Sequence, residues 1–141
     1  KQALLAERDF DPGAAAAAIE LRRRLILELH KAGAGLLLGS DSPQVFNVPG
    51  YSLHRELDVL VAAGLSPYEA LRTGTVAVAE FLGSNGGAVS VGRDADLVLL
   101  DANPLQDIKH ARRIHGVLLR GTWHSADALS DRLARYAGSN D

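Results

Sequence analysis

Gly35-Leu36-Leu37-Leu38-Gly39-Ser40-Asp41-Ser42-Pro43 is an apolar run that ends on a carboxylate. A short apolar stretch bounded by glycines predicts a strand buried on both faces, as in a parallel sheet clothed by helices. Upstream, Asp11 can cap a helix that begins at Pro12, where the missing N–H costs nothing. The alanines at 14–18 favour that helix, Leu21, Leu25 and Leu29 give it an i,i+4 stripe expected to be buried, and Ala32-Gly33 ends it. Helix, short loop and buried strand make half of a βαβ repeat. In parallel α/β folds catalytic groups sit at the carboxyl ends of the strands, so Asp41 is the leading candidate for chemistry. The same residue also reads as an Asx-type cap bonded to Ser42 or Gln44.

Downstream, residues 42–51 form a polar loop with Gln44, Asn47 and Tyr51, and loops at this end of a sheet line active sites. Gln44 and Tyr51 are candidates to touch substrate, and both also suit surface turns. A helix is expected over 53–62, capped by Ser52 and ended by Gly64, with Leu53, Leu57, Leu60 and Val61 on its packing face. His54, in its first turn, either reaches a pocket as a substrate-binding residue or hydrogen-bonds a loop carbonyl. Ser66-Pro67-Tyr68-Glu69 is a capping box with proline at N1, which predicts a helix over 67–73. A second short helix over 76–82 closes at Gly83.

At Gly83 the pattern changes to short β runs and turns. Strands are expected at 88–91, 97–100 and 114–120, with a tight turn at Gly92-Arg93 and a return through Trp123. Three strands are too few for an independent sandwich. Asp94 and Asp96 flank a turn and read as turn-stabilising rather than metal-binding. Residues 126–136 predict an amphipathic helix with Leu129 and Leu133 on one side, and 138–141 are expected to fray.

Composition narrows the function. The chain has 141 residues, 47% hydrophobic and 23% charged, which matches ordinary globular domains. A net charge of −2 offers no field for nucleic acid. Arg22-Arg23-Arg24 shares its helix with Glu20 and Glu28 at i,i+4 spacing, the pattern of a solvated, ion-paired face. No apolar run reaches the ~18–20 residues a bilayer span needs. Without cysteine there is neither disulfide nor thiolate chemistry. The compartment is left undecided, with a slight lean to the cytoplasm.

Residues 36–120 resemble the C-terminal portion of the amidohydrolase superfamily, metal-dependent hydrolases built on a (β/α)8 barrel. The matching pieces are Gly39-Ser40-Asp41-Ser42-Pro43, Ser52-Leu53-His54-Arg55-Glu56-Leu57 and Ala63-Gly64-Leu65-Ser66-Pro67-Tyr68-Glu69-Ala70-Leu71. Val91-Gly92-Arg93-Asp94-Ala95-Asp96-Leu97-Val98-Leu99-Leu100-Asp101 and Asn103-Pro104-Leu105 follow, and the Gly-Arg-Asp-Ala-Asp-Leu-Val block is the most specific part. Order and spacing are similar to the imidazolonepropionase-like and prolidase-like branches.

The resemblance implies an α/β fold: a C-terminal piece of a (β/α)8 TIM barrel plus part of a composite β-sandwich. Residues 1–83 would be the last β/α portion of the barrel, 84–125 strands of the sandwich, and 126–141 a C-terminal helix and tail. A whole barrel takes about 250 residues, so the chain is expected to be a piece of an enzyme. The family's metal site resembles His-x-His from the first strand, Lys or Glu from the fourth, His from the fifth and sixth and Asp from the eighth. His30, His54, His110, His115 and His124 include no His-x-His pair, so only Asp41 falls on a family metal position.

The activity implied is metal-dependent hydrolysis of a C–N bond (amide, cyclic amide or peptide-like), with Asp41 as metal ligand and proton shuttle. Zinc, mono- or binuclear, is the expected cofactor of the complete enzyme. The expected partners are a small-molecule substrate and the missing N-terminal portion or another chain, with a homo-oligomer also open. Two other classes stay in view. A receiver-like phosphoacceptor domain would need repeated β/α units and an early acidic pair, which are not seen. A non-catalytic interaction module, or relic, would dock on a partner through apolar faces.

Overall fold

The structure is a computed structural model that describes residues 11–137. Helix α1, Pro12–Lys31, starts as its sequence requires: the Asp11 carboxylate accepts from the N–H groups of Gly13 (2.8 Å) and Ala14 (3.2 Å). Its packing face differs from the expected one. Leu21, Leu25 and Leu29 are exposed at 68%, 56% and 41%, while Ile26 and Leu27 pack on the core. Successive residues turn by about 100°, so Ile26 and Leu27 lie on the side away from Leu25. The helix is apolar on two sides, and the other described elements cover only one. Its ion pairs are Glu20–Arg23 (3.4 Å) and Glu28–Lys31 (2.9 Å), both i,i+3 rather than the i,i+4 pairs expected.

Residues 34–42 form neither helix nor strand, and Leu37 is 44% exposed, which corrects the expectation of a strand buried on both faces. A strand is defined by its ladder, and no parallel neighbour stands beside this segment among the described residues. Its tie is instead to a helix end. The Leu38 N–H donates to the Thr73 carbonyl at 3.0 Å. A Cβ on the adjoining Gly74 would come within 2.6 Å of the Leu38 side chain, so the two backbones meet where a side chain is absent.

Helix α2, Tyr51–Ala62, begins two residues earlier than expected. Gly50 is the N-cap, and Ser52 lies inside the helix, buried. The cause is a reciprocal pair with the loop: Val48 N–H donates to the Ser52 hydroxyl (2.8 Å) and Ser52 N–H to the Val48 carbonyl (2.9 Å). Helices α3, Pro67–Thr73, and α4, Val76–Leu82, match their expected bounds, and α4 ends on Gly83 in the left-handed region.

The core joins Leu57, Leu60, Leu65 and Ala70 to Ile108 and Ala111. The last two come from a 3-10 turn, Ile108–Arg112, that the sequence reading did not anticipate. It is started by the Asp107 carboxylate, which accepts from Lys109 N–H at 2.9 Å.

Strands β1 (Leu97–Leu100), β2 (Ile114–Leu119) and β3 (Thr122–Ser125) form an antiparallel sheet in that order. Leu97 pairs with Leu118 and Leu118 with Trp123, with a register shift between Leu99 and Leu100. At Gly116 a Cβ would lie 2.2 Å from the Trp123 ring, so glycine leaves the indole its place on the sheet. The strand expected at 88–91 is not formed: Val89 and Val91 are exposed at 86% and 105% and pair with no strand among the described residues. Asp96 does stabilise a turn, its carboxylate accepting from Arg120 N–H at 2.7 Å. Helix α5, Ala126–Ala137, follows, although Leu133 is 71% exposed. The fraying expected at 138–141 lies outside the described residues. Among the described residues no helix is long and apolar enough to cross a membrane.

The capping box of α3 also fastens α1. Glu69 accepts from the Ser66 hydroxyl (2.6 Å) and backbone N–H (2.8 Å), and His30 Nε2 lies 3.0 Å from its other oxygen. The Ser66 hydroxyl above all, then His30 and the Ser66 N–H, hold the Glu69 carboxyl down at about 2 from an ordinary 4.5. A depressed acid adds stability that is complete above its unfolded value and lost as pH falls through the folded one. Glu69→Gln is therefore expected to lower the thermal midpoint at pH 6, with the gap to the parent narrowing from pH 4.5 towards 2. Melting curves across that range check it, and a gap independent of pH would refute the assignment.

Candidate active site

The irregular segment after α1 delivers Asp41 into a loop that is closed on itself. Asp41 is exposed and sits at φ +50°, a left-handed conformation that Asp tolerates better than most side chains. Gln44 donates its side-chain amide to Asp41 Oδ2. Oδ1 has no partner among the described residues. Asn47 donates from Nδ2 to the Ser40 carbonyl (2.9 Å) and from its N–H to the Gln44 carbonyl (2.9 Å). The hydroxyls of Ser40 and Ser42 lie 2.9 Å apart.

Beneath the loop, Glu56 on α2 accepts from Gly39 N–H at 3.4 Å. Burial pushes its carboxyl up, and the Gly39 N–H offsets part of that rise.

Of the residues singled out in the sequence, the structure brings Gln44 to Asp41. Tyr51 is 64% exposed at the start of α2. His54 faces elsewhere, into an open cavity of about 790 Å³ walled by Leu38, Leu53, Leu57, Leu71 and Trp123, and Asp41 is not among its lining residues. His54 Nδ1 is buried with no hydrogen-bond partner among the described residues. Burial first, then the Arg112 guanidinium, lower the His54 pKa, opposed in part by Asp58. Arg112 is itself tied to α2, through an ion pair with Asp58 and a 3.3 Å bond from Nη2 to the His54 carbonyl. The charged form of the imidazole is thus disfavoured, and Nδ1 is unused, in an apolar setting.

The sequence reading assigned no role to Asn47, Glu56, Asp58 or Arg112. Asn47 is a loop polar residue like its neighbours, and only the folded loop shows its amide spanning to Ser40. Asp58 and Arg112 are far apart in the chain and carry no mutual signal.

The Amidohydrolase family model matches residues 14–124, from the first turn of α1 to the third strand. The chain belongs to the amidohydrolase family. A prolidase candidate from Bifidobacterium longum is 36% identical over 79% of this chain, with a TM-score of 0.64. Molinate hydrolase is 26% identical over 70% of the chain, with a TM-score of 0.63. A Xaa-Pro dipeptidase with methionine bound in its active site covers 74% of the chain at 20% identity and a TM-score of 0.63, a likeness of fold alone. The amidohydrolase chain spans 30%, 25% and 25% of the length of these three proteins respectively. A search among curated proteins found no match.

Members of the amidohydrolase family generally use divalent metals. Among the described residues, no three His, Asp or Glu side chains come together to hold one. Catalytic zinc typically takes three protein ligands, so Asp41 and its neighbours do not by themselves fit the metal.

Proposed function

We propose that this chain is the C-terminal part of a metal-dependent amidohydrolase that cleaves a C–N bond in an amide, cyclic amide or peptide-like small molecule. Residues 1–83 would complete the barrel, 84–125 would contribute strands to a composite β-sandwich, and 126–141 would form the closing helix and tail. The observation that supports this best is the family match over residues 14–124, with Asp41 at the end of the segment leaving the helical layer.

In this reading Asp41 takes the proton of the attacking water and hands it to the leaving nitrogen, the double duty of a general base and acid. Its unpartnered Oδ1 is the atom for that transfer. Asp41 would also be one ligand of a mono- or binuclear zinc centre whose other ligands lie in the remainder of the enzyme. Gln44 would hold Asp41 while facing the substrate, and Tyr51 would line the approach. His54 would serve the substrate only where a part of it reached the separate cavity that this side chain lines.

Two measurements test this. The 141-residue chain alone is expected to hydrolyse no amide or dipeptide and to bind zinc only weakly, by calorimetry. Joined to its preceding sequence, it is expected to hydrolyse such substrates with zinc bound. Stoichiometric zinc binding by the chain alone at micromolar metal would show that the ligand set lies within it and overturn the division of the site.

A second reading is favoured by the exposed row Leu21, Leu25 and Leu29 and by Val98 and Leu99 on β1. Unpartnered apolar faces of this kind suit a non-catalytic module docking on another chain. Preceding sequence without a His-x-His strand would select that reading.

A further inference from the structure

We infer that Asn47 is the positioning residue of Asp41: its side-chain amide clasps the Ser40–Asp41 peptide and so fixes where the Asp41 carboxylate points. The inference rests on Asp41 being the reactive carboxylate of the proposed hydrolase. The Ser40 carbonyl belongs to the peptide unit whose rotation sets the Asp41 φ. That φ, +50°, lies in a region sparsely populated by residues other than glycine, so something in the surroundings has to hold it. Asn47 Nδ2 does so at 2.9 Å, across a separation of seven residues, from a half-buried position.

Asn47 is fixed in turn. Its N–H donates to the Gln44 carbonyl, and the Gln44 side chain donates to Asp41. Asp41, Gln44, Asn47 and Ser40 therefore form a closed ring of hydrogen bonds around the carboxylate. The next residue, Val48, is hooked to α2 by the reciprocal bonds with Ser52, which anchors the ring to a helix rather than leaving it adrift on a loop. The clasp depends on a donor. Aspartate has the same shape as asparagine, but when ionised it would set an oxygen against the Ser40 carbonyl.

The test uses Asn47→Ala and the isosteric Asn47→Asp. In the 141-residue chain, the ¹⁵N relaxation order parameter of the Asp41 amide is expected to fall from about 0.85 to below about 0.6 in both variants, with order in α2 unchanged. In the complete enzyme both variants are expected to lose about 10–100-fold in kcat, the usual range for groups that orient a reacting residue, with KM within about twofold. A general packing role would not single out kcat in the isosteric variant. Unchanged order at Asp41 overturns the inference whatever the activity, and so does lost order with kcat intact in an enzyme that Asp41→Asn inactivates. Lost order in an enzyme that Asp41→Asn leaves fully active overturns the hydrolase role of Asp41 instead.

Discussion

Asp41→Asn in the complete enzyme is expected to lower kcat by about 10²–10⁴-fold, the share a positioned proton carrier supplies, while the thermal midpoint stays within a degree or two. The geometry separates these two effects. Asparagine keeps the size of the side chain and an oxygen to accept the Gln44 amide. It also tolerates φ +50° at least as well as aspartate. What it lacks is the ability to take a proton from water at neutral pH. If Asp41 serves only as a turn cap, asparagine does that work equally well and turnover stays near normal. Steady-state rates and melting curves on one preparation decide between them. Near-normal turnover with an intact fold would sink the catalytic reading.

The largest effect on stability is expected at Leu65, which is 2% exposed in the core between α2 and α3. Leu65→Ala removes buried methyl groups and leaves a cavity, for a loss of about 2–5 kcal/mol. Against a total of about 5–15 kcal/mol for a domain, that is a large fraction. Leu65→Met, which conserves volume, is expected to cost less than about 1.5 kcal/mol. Urea unfolding at an unchanged m-value measures both. Equal losses for the two variants would show that shape at the site, rather than burial, governs the cost.

The sequence was most readable where structure depends on near neighbours. Ser66 and Glu69 specify the start of α3 within four residues, and Gly83 its own left-handed end to α4. The apolar runs of β1 and β2 find each other as antiparallel neighbours, and they too were legible. Leu36, Leu37 and Leu38 were not, because a strand needs a partner and no local pattern supplies one. The row Leu21, Leu25 and Leu29 misled for a related reason: periodicity shows that a face is apolar, not which of two apolar faces is covered. Within the candidate site, the candidacy of Asp41 rested on a carboxylate that ends an apolar run, whereas Asn47 looked like any turn residue. The role proposed for Asn47 is a matter of direction, which composition does not carry.

The meeting of Leu38 with Gly74 has a mechanical meaning. The segment leading to Asp41 is seated by contact against the end of α3, and the seat exists because position 74 carries no side chain. A larger residue there would meet the Leu38 side chain, with Cδ2 at 2.6 Å and Cβ at 3.3 Å, so that Leu38 would have to turn aside or shift. Reactive groups tolerate errors of only about 0.5 Å, less than the thickness of one methyl group. The seat of the segment that leads to Asp41 is therefore shaped by a residue with neither side chain nor charge.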